Sequence, residues 1–238
     1  MNRLQTWWMW TPFRWKRRWQ GLKRRVLGLP RREEAVLNMV RRDVPRGDAQ
    51  AVLDAMDRFG RTQQFLMNVG DEKAPILLEA FARSRGQLIV EVGAYCGYSA
   101  VFWGKLAKER GGRVVSIEQS EDFATITRAM VEHAGLSEVV AVETGVVESC
   151  LARLPGPIDV LFLDHAKDQY YADLLLLEAA GLIAEGTVLI ADNTGIGADD
   201  VADYLAHVRY SGSYDSAEHR GFMEYSKIPD AVEVSVKR

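Results

Sequence analysis

Cysteine is nearly absent from this 238-residue chain: only Cys96 and Cys150 occur. Two cysteines make no disulfide framework, and no CxxC or Cys/His spacing is present to hold a structural metal. A reducing, cytoplasmic setting is therefore the expectation. No apolar run reaches the roughly 18 residues that a simple membrane-spanning helix needs. The first thirty residues also lack the apolar core of a secretory signal, because Gln5, Thr6, Thr11 and Pro12 interrupt the one candidate stretch. A G-x-G-x-x-G fingerprint is missing, which lowers a dehydrogenase reading, and no G-x-S-x-G elbow marks a serine hydrolase.

Acidic residues are absent from positions 1–32, which hold ten Arg or Lys. The rest of the chain carries 20 basic and 33 acidic residues, a net charge of −13. An acidic body argues against nucleic acid as the main partner. Five of the six tryptophans, Trp7, Trp8, Trp10, Trp15 and Trp19, interleave with the basic residues of the arm. Tryptophan mixed with Arg and Lys suits a segment lying in a membrane interface, so residues 1–30 are expected to make peripheral membrane contact. Packing of the arm on its own acidic body or on a partner chain is the alternative, and an organelle-targeting segment is a third. The division expected is an arm over 1–32 and one folded domain over 33–238. Nothing in the sequence sets an oligomeric state.

From Glu33 onward, 47% apolar content overall and clear periodicity specify a folded core. Helical patterns run over about 33–42, 48–66 and 72–84. A βα alternation follows, with strands at 88–92, 113–118, 138–143, 158–163 and 187–191. Helices are expected between them at 98–109, 121–134 and 168–184, and after them at 199–208. Residues 222–228 and 231–236 alternate in apolar character around Pro229-Asp230, which reads as a terminal hairpin. Continuous apolar strands separated by helices imply a parallel sheet covered on both faces.

Ligands of such sheets bind beyond the C-terminal strand ends. The first strand ends in Glu91-Val92-Gly93-Ala94-Tyr95-Cys96-Gly97-Tyr98-Ser99, and the second in Glu118, 27 residues after Glu91. Glycines at a strand-to-helix turn are often only a turn. Paired with a carboxylate able to accept from two ribose hydroxyls, they point to an adenosine-containing cofactor. The fourth strand ends in Asp164-His165-Ala166-Lys167 and the fifth in Asp192-Asn193. If these strands are neighbours, Asp164, Asp192 and Asn193 surround one point, and three hard oxygens suit Mg²⁺. Lys167 would then sit where it can take a proton from a hydroxyl on the metal. Taken singly, each of these residues has a plainer reading: Asp164 as a helix cap, Asp192-Asn193 as a turn, Lys167 as a surface charge. Their coincidence on adjacent strand ends favours the site. His165 packs either against an adenine or within the core.

At these residues the sequence resembles the catechol O-methyltransferase family from about Asp48 to the C-terminus. The motifs that carry the resemblance are Met67-Asn68-Val69-Gly70-Asp71, the Glu91–Ser99 segment, Phe162-Leu163-Asp164-His165, Ala191-Asp192-Asn193 and Met223-Glu224-Tyr225. It implies a Rossmann-like, class I fold dependent on S-adenosylmethionine (SAM): a mostly parallel seven-stranded sheet, helices on both faces and a reversed C-terminal strand. It implies that Met67, Val69, Gly93, Tyr95 and Ser99 line the methionine end of SAM. Glu118 would hold the ribose, and Gln119 and His165 would lie near the adenine. Asp164, Asp192 and Asn193 would bind Mg²⁺, Lys167 would be the general base, and Glu224 would hydrogen-bond the second hydroxyl of a small catechol.

The chain departs from the family pattern around the substrate. Ala166 stands where a tryptophan is usual, and Phe65 aligns with a second aromatic wall. Thr194–Ala198 replaces a proline-bearing loop, and Val147-Glu148 replaces a serine-glutamine pair near the adenine. Two rivals follow: another cation-dependent phenolic O-methyltransferase, of the type acting on caffeoyl-CoA, and a non-catalytic binding protein of the same fold.

Overall fold

A computed structural model describes residues 30–238; the tryptophan-rich arm lies outside the described residues. Three helices come first: α1 (Arg32–Asp43), α2 (Ala49–Thr62) and α3 (Gly70–Ala82). The βα alternation follows as β1 (Leu88–Val92), α4 (Tyr98–Glu109), β2 (Arg113–Glu118), α5 (Glu121–His133) and β3 (Val140–Thr144). Next come a short α6 (Val147–Cys150), β4 (Ile158–Leu163), α7 (Tyr170–Ala179) and β5 (Ile183–Ala191). Helix α8 (Ala202–Tyr210) leads to the antiparallel pair β6 (Tyr214–Phe222) and β7 (Pro229–Lys237).

The seven strands lie in the order β3-β2-β1-β4-β5-β7-β6. β1 to β5 run parallel, and β7 runs antiparallel to both its neighbours. This is the mostly parallel sheet with a reversed last strand that the family resemblance implies. Its two faces follow from the period of two in a strand. Ile89, Val160, Phe162, Val188 and Ile190 join the core that contains α1 to α5. Their neighbours Leu88, Val90, Leu161, Leu163 and Leu189 join the core beneath α7 and α8. Trp103 of α4 is fully buried in the first core, with the Phe102 and Phe162 rings centred 5.0 and 5.5 Å away.

Register sets the site. Val92 pairs with Leu163, and Leu163 with Ala191, so β1, β4 and β5 end level. The ladder continues one residue further, with Asp164 N–H donating to Val92 O and Asp192 N–H to Leu163 O, both at 2.9 Å. Strand order reverses around β1, the point at which open α/β sheets bind ligands. Because β7 is reversed, its first residues lie beside the end of β5, where Thr194 N–H donates to Ala231 O at 2.9 Å.

The terminal hairpin differs from its expectation. The turn is at 223–228, and Pro229-Asp230 opens β7 instead of forming the turn. Proline is compatible with the first residue of a strand. The preceding strand starts at Tyr214, in a segment read as loop, because β6 is the sheet edge and carries Glu218, His219 and Arg220 where a buried strand would be apolar. Helix α2 stops at Thr62, four residues early, which frees Phe65, Met67 and Asn68 to line a cleft. Helix α7 stops at Ala179, and β5 starts at Ile183, with a register shift between its Ile183 and Val188 pairings.

Candidate active site

A cleft of about 640 Å³ opens over the C-terminal ends of β1, β2, β4 and β5. Ten residues expected at a site line it: Met67, Gly93, Tyr95, Glu118, Gln119, Asp164, His165, Lys167, Asn193 and Glu224. Val69, Ser99 and Asp192 are expected there too but are not on the cleft wall; all three are buried beneath it.

The backbone is shaped for close approach. Gly93 has φ +99°, and a side chain there would meet Asp164 O at 2.5 Å, so only glycine lets the β1 loop lie against the end of β4. Gly60 of α2 is equally constrained, since a Cβ would enter the Tyr225 ring at 2.4 Å. Tyr95, Asn193 and Tyr225 are the non-glycine residues with positive φ among the described residues. Tyr95 and Asn193 line the cleft, and Tyr225 follows Glu224, so sparsely populated conformations gather at one place.

At one end, Gln119, Phe123, Val146, Val147, His165 and Asp173 form the wall. His165 Nε2 lies 2.8 Å from Asp173 Oδ2, its ring stacks on Tyr170 at 5.0 Å, and its Nδ1 is buried without a partner. Glu118 is committed to the loop: Oε2 accepts from Ala94 and Tyr95 N–H at 3.1 and 2.8 Å, and Oε1 from Ser120 N–H at 2.9 Å. A carboxylate oxygen accepts about two hydrogen bonds, so Oε1 keeps a spare lone pair. Helix α1 closes this end. Glu33 accepts from Tyr95 Oη at 2.5 Å, and the Arg32 guanidinium donates to Glu33 at 2.7 Å and Phe65 O at 3.3 Å. Burial opposes ionisation of Glu33, but these two donors outweigh it and hold its carboxyl below the usual range.

At the other end lies a charged nest. Lys167 Nζ donates to Asp164 Oδ1 at 3.0 Å and to Tyr170 Oη at 2.7 Å. The Tyr170 hydroxyl lies 2.8 Å from Leu163 O and 3.1 Å from Asp192 O, tying the base to the ends of β4 and β5. Asp192 Oδ1 accepts from Lys73 Nζ at 2.6 Å and from Asn193 N–H at 2.8 Å. Lys73 also donates to Asp230 Oδ2 at 2.6 Å. Burial raises the Asp164 carboxyl to about 6, with Asp192 adding to the rise against the pull of Lys167. Burial likewise raises Glu224 to about 8.

Lys73 and Asp230 escaped the sequence reading. Lys73 occupies the buried stripe of α3 with Gly70, Leu77, Ala80 and Phe81, and a lysine at a core position of that stripe was the available signal. Asp230 was hidden by its place in an expected turn.

The donor set fits a hard divalent cation. Four carboxylates, Asp164, Asp192, Glu224 and Asp230, face the two ammonium groups of Lys73 and Lys167. Burial is the main reason the Asp164 and Glu224 carboxyls resist ionisation, with Asp192 adding to it, and a cation would favour their charged form. Among the described residues no group of three His, Cys, Asp or Glu side chains is arranged to hold a metal. The candidate set is two aspartates and an amide.

Comparison with known proteins gives the relatives of the chain. A methyltransferase-domain family model matches residues 90–194. The mouse catechol O-methyltransferase is 38% identical over 210 residues, 86% of this chain and 78% of the mouse chain. The bovine catechol O-methyltransferase is 37% identical over 207 residues, covering 85% and 75%. The crystal structure of an O-methyltransferase from Bacillus cereus in complex with SAH superposes with a TM-score of 0.63 at 23% identity, covering 86% of this chain and 97% of that one.

Proposed function

The chain belongs to the catechol O-methyltransferase family, and from that premise we propose that it is a SAM-dependent O-methyltransferase whose acceptor is one hydroxyl of a catechol held on Mg²⁺. The observation that carries the reading is the row of Gly93, Asp164 and Asp192 at level strand ends, with Lys167 and Asn193 at the cleft wall beside them.

SAM brings an electrophilic methyl group, and Mg²⁺ acidifies a hydroxyl that it coordinates. The protein's part is to hold, orient and deprotonate. Asp164, Asp192 and Asn193 supply the metal's oxygens. Lys167, fixed by Asp164 and Tyr170, takes the hydroxyl proton in its neutral amine form and becomes the ammonium. Glu224, at the same wall, orients the second hydroxyl through a hydrogen bond. Met67, Gly93 and Tyr95, with Val69 and Ser99 buried beneath them, hold the methionine end of SAM, Glu118 takes the ribose, and Gln119 and His165 flank the adenine. Fixing the two reactants in line supplies much of the rate.

One feature of the mouth favours a second, related reading. Ala166 is exposed on the cleft wall, so at that position little side-chain bulk confines the acceptor. A bulkier phenolic conjugate would suit that opening. A non-catalytic role is disfavoured, since a binding module needs no base tied to a carboxylate cluster.

The test is methyl transfer from SAM to a small catechol and to a bulky catechol conjugate, with and without chelator. The expected result is mono-O-methylation that chelator abolishes and Mg²⁺ restores. Asp192→Ala should be inactive at ordinary Mg²⁺ and partly active at high Mg²⁺. Full activity of the wild type in chelator would overturn the metal role, and no transfer to either acceptor would overturn the substrate class.

A further inference from the structure

We propose that the buried pair Lys73 and Asp230 sets the metal selectivity of the site, by leaving Asp192 one free oxygen and fixing which atom Asn193 turns toward the ion. The inference rests on the reading of Asp164, Asp192 and Asn193 as metal ligands and adds what determines which ion they accept.

Asp192 is the clearest case. Its Oδ1 accepts from Lys73 Nζ at 2.6 Å and Asn193 N–H at 2.8 Å, which uses both lone pairs and leaves Oδ2 alone for a cation. Lys73 is wholly buried, so the solvent does not compete for its ammonium. Asp230 does the same for the amide. Its Oδ2 accepts from Lys73 Nζ at 2.6 Å and from Asn193 Nδ2 at 2.8 Å, and its Oδ1 accepts from Ile196 N–H at 3.0 Å. An amide donates only through its nitrogen, so the bond to Asp230 Oδ2 sets which way the Asn193 side chain is turned. That fixes Nδ2 of Asn193 on Asp230 and leaves Oδ1 as the amide atom free to ligate. Asp164 lies outside this lock: its Oδ1 accepts from Lys167 Nζ at 3.0 Å and keeps a spare lone pair.

Asp192 and Asn193 thus offer one oxygen each on a braced frame. Mg²⁺ and Mn²⁺ accept that arrangement, completing an octahedron with water and substrate. Ca²⁺ prefers six to eight oxygens and often takes carboxylates through both. Locking Asp192 to one oxygen therefore penalises Ca²⁺ more than Mg²⁺. A purely structural ion pair would hold β7 to α3 and leave this preference alone.

The test is a Mn²⁺ titration of the full chain by electron paramagnetic resonance, without SAM or catechol, with Mg²⁺ and Ca²⁺ as competitors. The wild type should bind Mn²⁺ and Mg²⁺ well ahead of Ca²⁺. Lys73→Gln frees Asp192 Oδ1, so the Mn²⁺-to-Ca²⁺ preference should fall by ~10–100-fold, the range seen when partners that orient metal ligands are removed. Lys73→Arg keeps the charge and two donors, and should keep the preference. If Lys73→Gln does not fold, the charge-balanced Lys73→Met/Asp230→Leu variant removes the same lock and should show the same loss. A folded variant with the wild-type ratio would overturn the proposal, as would a wild type that takes Ca²⁺ as readily as Mg²⁺. A wild type that binds none of the three ions would instead overturn the metal site itself.

Discussion

The Lys167 ammonium lies 2.7 Å from the Tyr170 hydroxyl, and that hydroxyl lies within 3.1 Å of the backbone carbonyls of both Leu163 and Asp192. The base is therefore held by a fully buried ring that spans the ends of β4 and β5. A lysine so tethered reaches a hydroxyl in one orientation, whereas a free one samples many. Lys167→Ala should lower kcat by ~10²–10⁴-fold, the usual range for loss of a general base, while calorimetry still shows SAM binding. Tyr170→Phe keeps the base but removes its tether, so kcat should fall by up to about 10²-fold with KM little changed. Near wild-type turnover in Lys167→Ala would remove Lys167 from the mechanism.

Ala166 leaves the cleft mouth open between His165 and Lys167. A small catechol gains little apolar contact there, so it should bind loosely. Ala166→Trp restores an aromatic wall that buries on the order of 150–250 Å² when covered, and should lower KM for a small catechol. The same change should raise KM for a bulky conjugate. Steady-state kinetics on the two acceptors checks both, and an unchanged or higher KM for the small one would place that wall elsewhere.

Legibility in the sequence tracked burial. Strands β1, β2 and β4 match their expected bounds, because fully buried parallel strands are short continuous apolar runs. Strand β6 was invisible because an edge strand carries the charges that keep it from pairing further. The candidate ligands were legible because each sits at the end of such a run, where the chain turns toward the ligand. Their bracing was not. Lys73 meets Asp192 across 119 residues and Asp230 across 157, and no local pattern encodes a contact of that span. Sequence periodicity placed Lys73 on a helix; only the packing of α3 against the reversed strand shows that its stripe faces the site.

The arm at residues 1–30 is proposed to bind anionic membrane surfaces. Ten Lys or Arg stand in residues 1–32 without an acid, beside five tryptophans. Basic residues near an anionic leaflet contribute roughly 1 kcal/mol each, and tryptophan settles at headgroup depth. No helix among the described residues is long and apolar enough to cross a membrane. The full chain should float with phosphatidylserine vesicles at low salt and less at high salt. A chain starting at Arg31 should stay at the bottom of the gradient. Equal flotation of the two would sink the proposal in favour of an arm that packs on protein.

Glu91 makes the last prediction, one of stability. It pairs in register with Ser116 in the middle of the sheet, and the Ser116 hydroxyl donates to its Oε2. Its Oε1 is buried. Burial outweighs the Ser116 and Ser99 hydroxyls, which favour the charged form, and raises the carboxyl from 4.5 to about 7. A raised carboxyl favours the folded state while protonated. That contribution is complete below about pH 4.5 and is lost as pH rises through about 7. The full loss is on the order of 3 kcal/mol, since one pKa unit is worth about 1.4 kcal/mol. Glu91→Gln is neutral at every pH and keeps an acceptor for Ser116. Its Tm relative to the wild type should therefore climb between pH 4.5 and 7 and level off above pH 8. For a domain of this size the climb should be roughly 6–12 °C. The measurement is thermal unfolding of both proteins, without cofactor, at pH 5, 6, 7 and 8. Curves that run parallel across that range would show that Glu91 is already ionised in the fold, held by a donor other than Ser116.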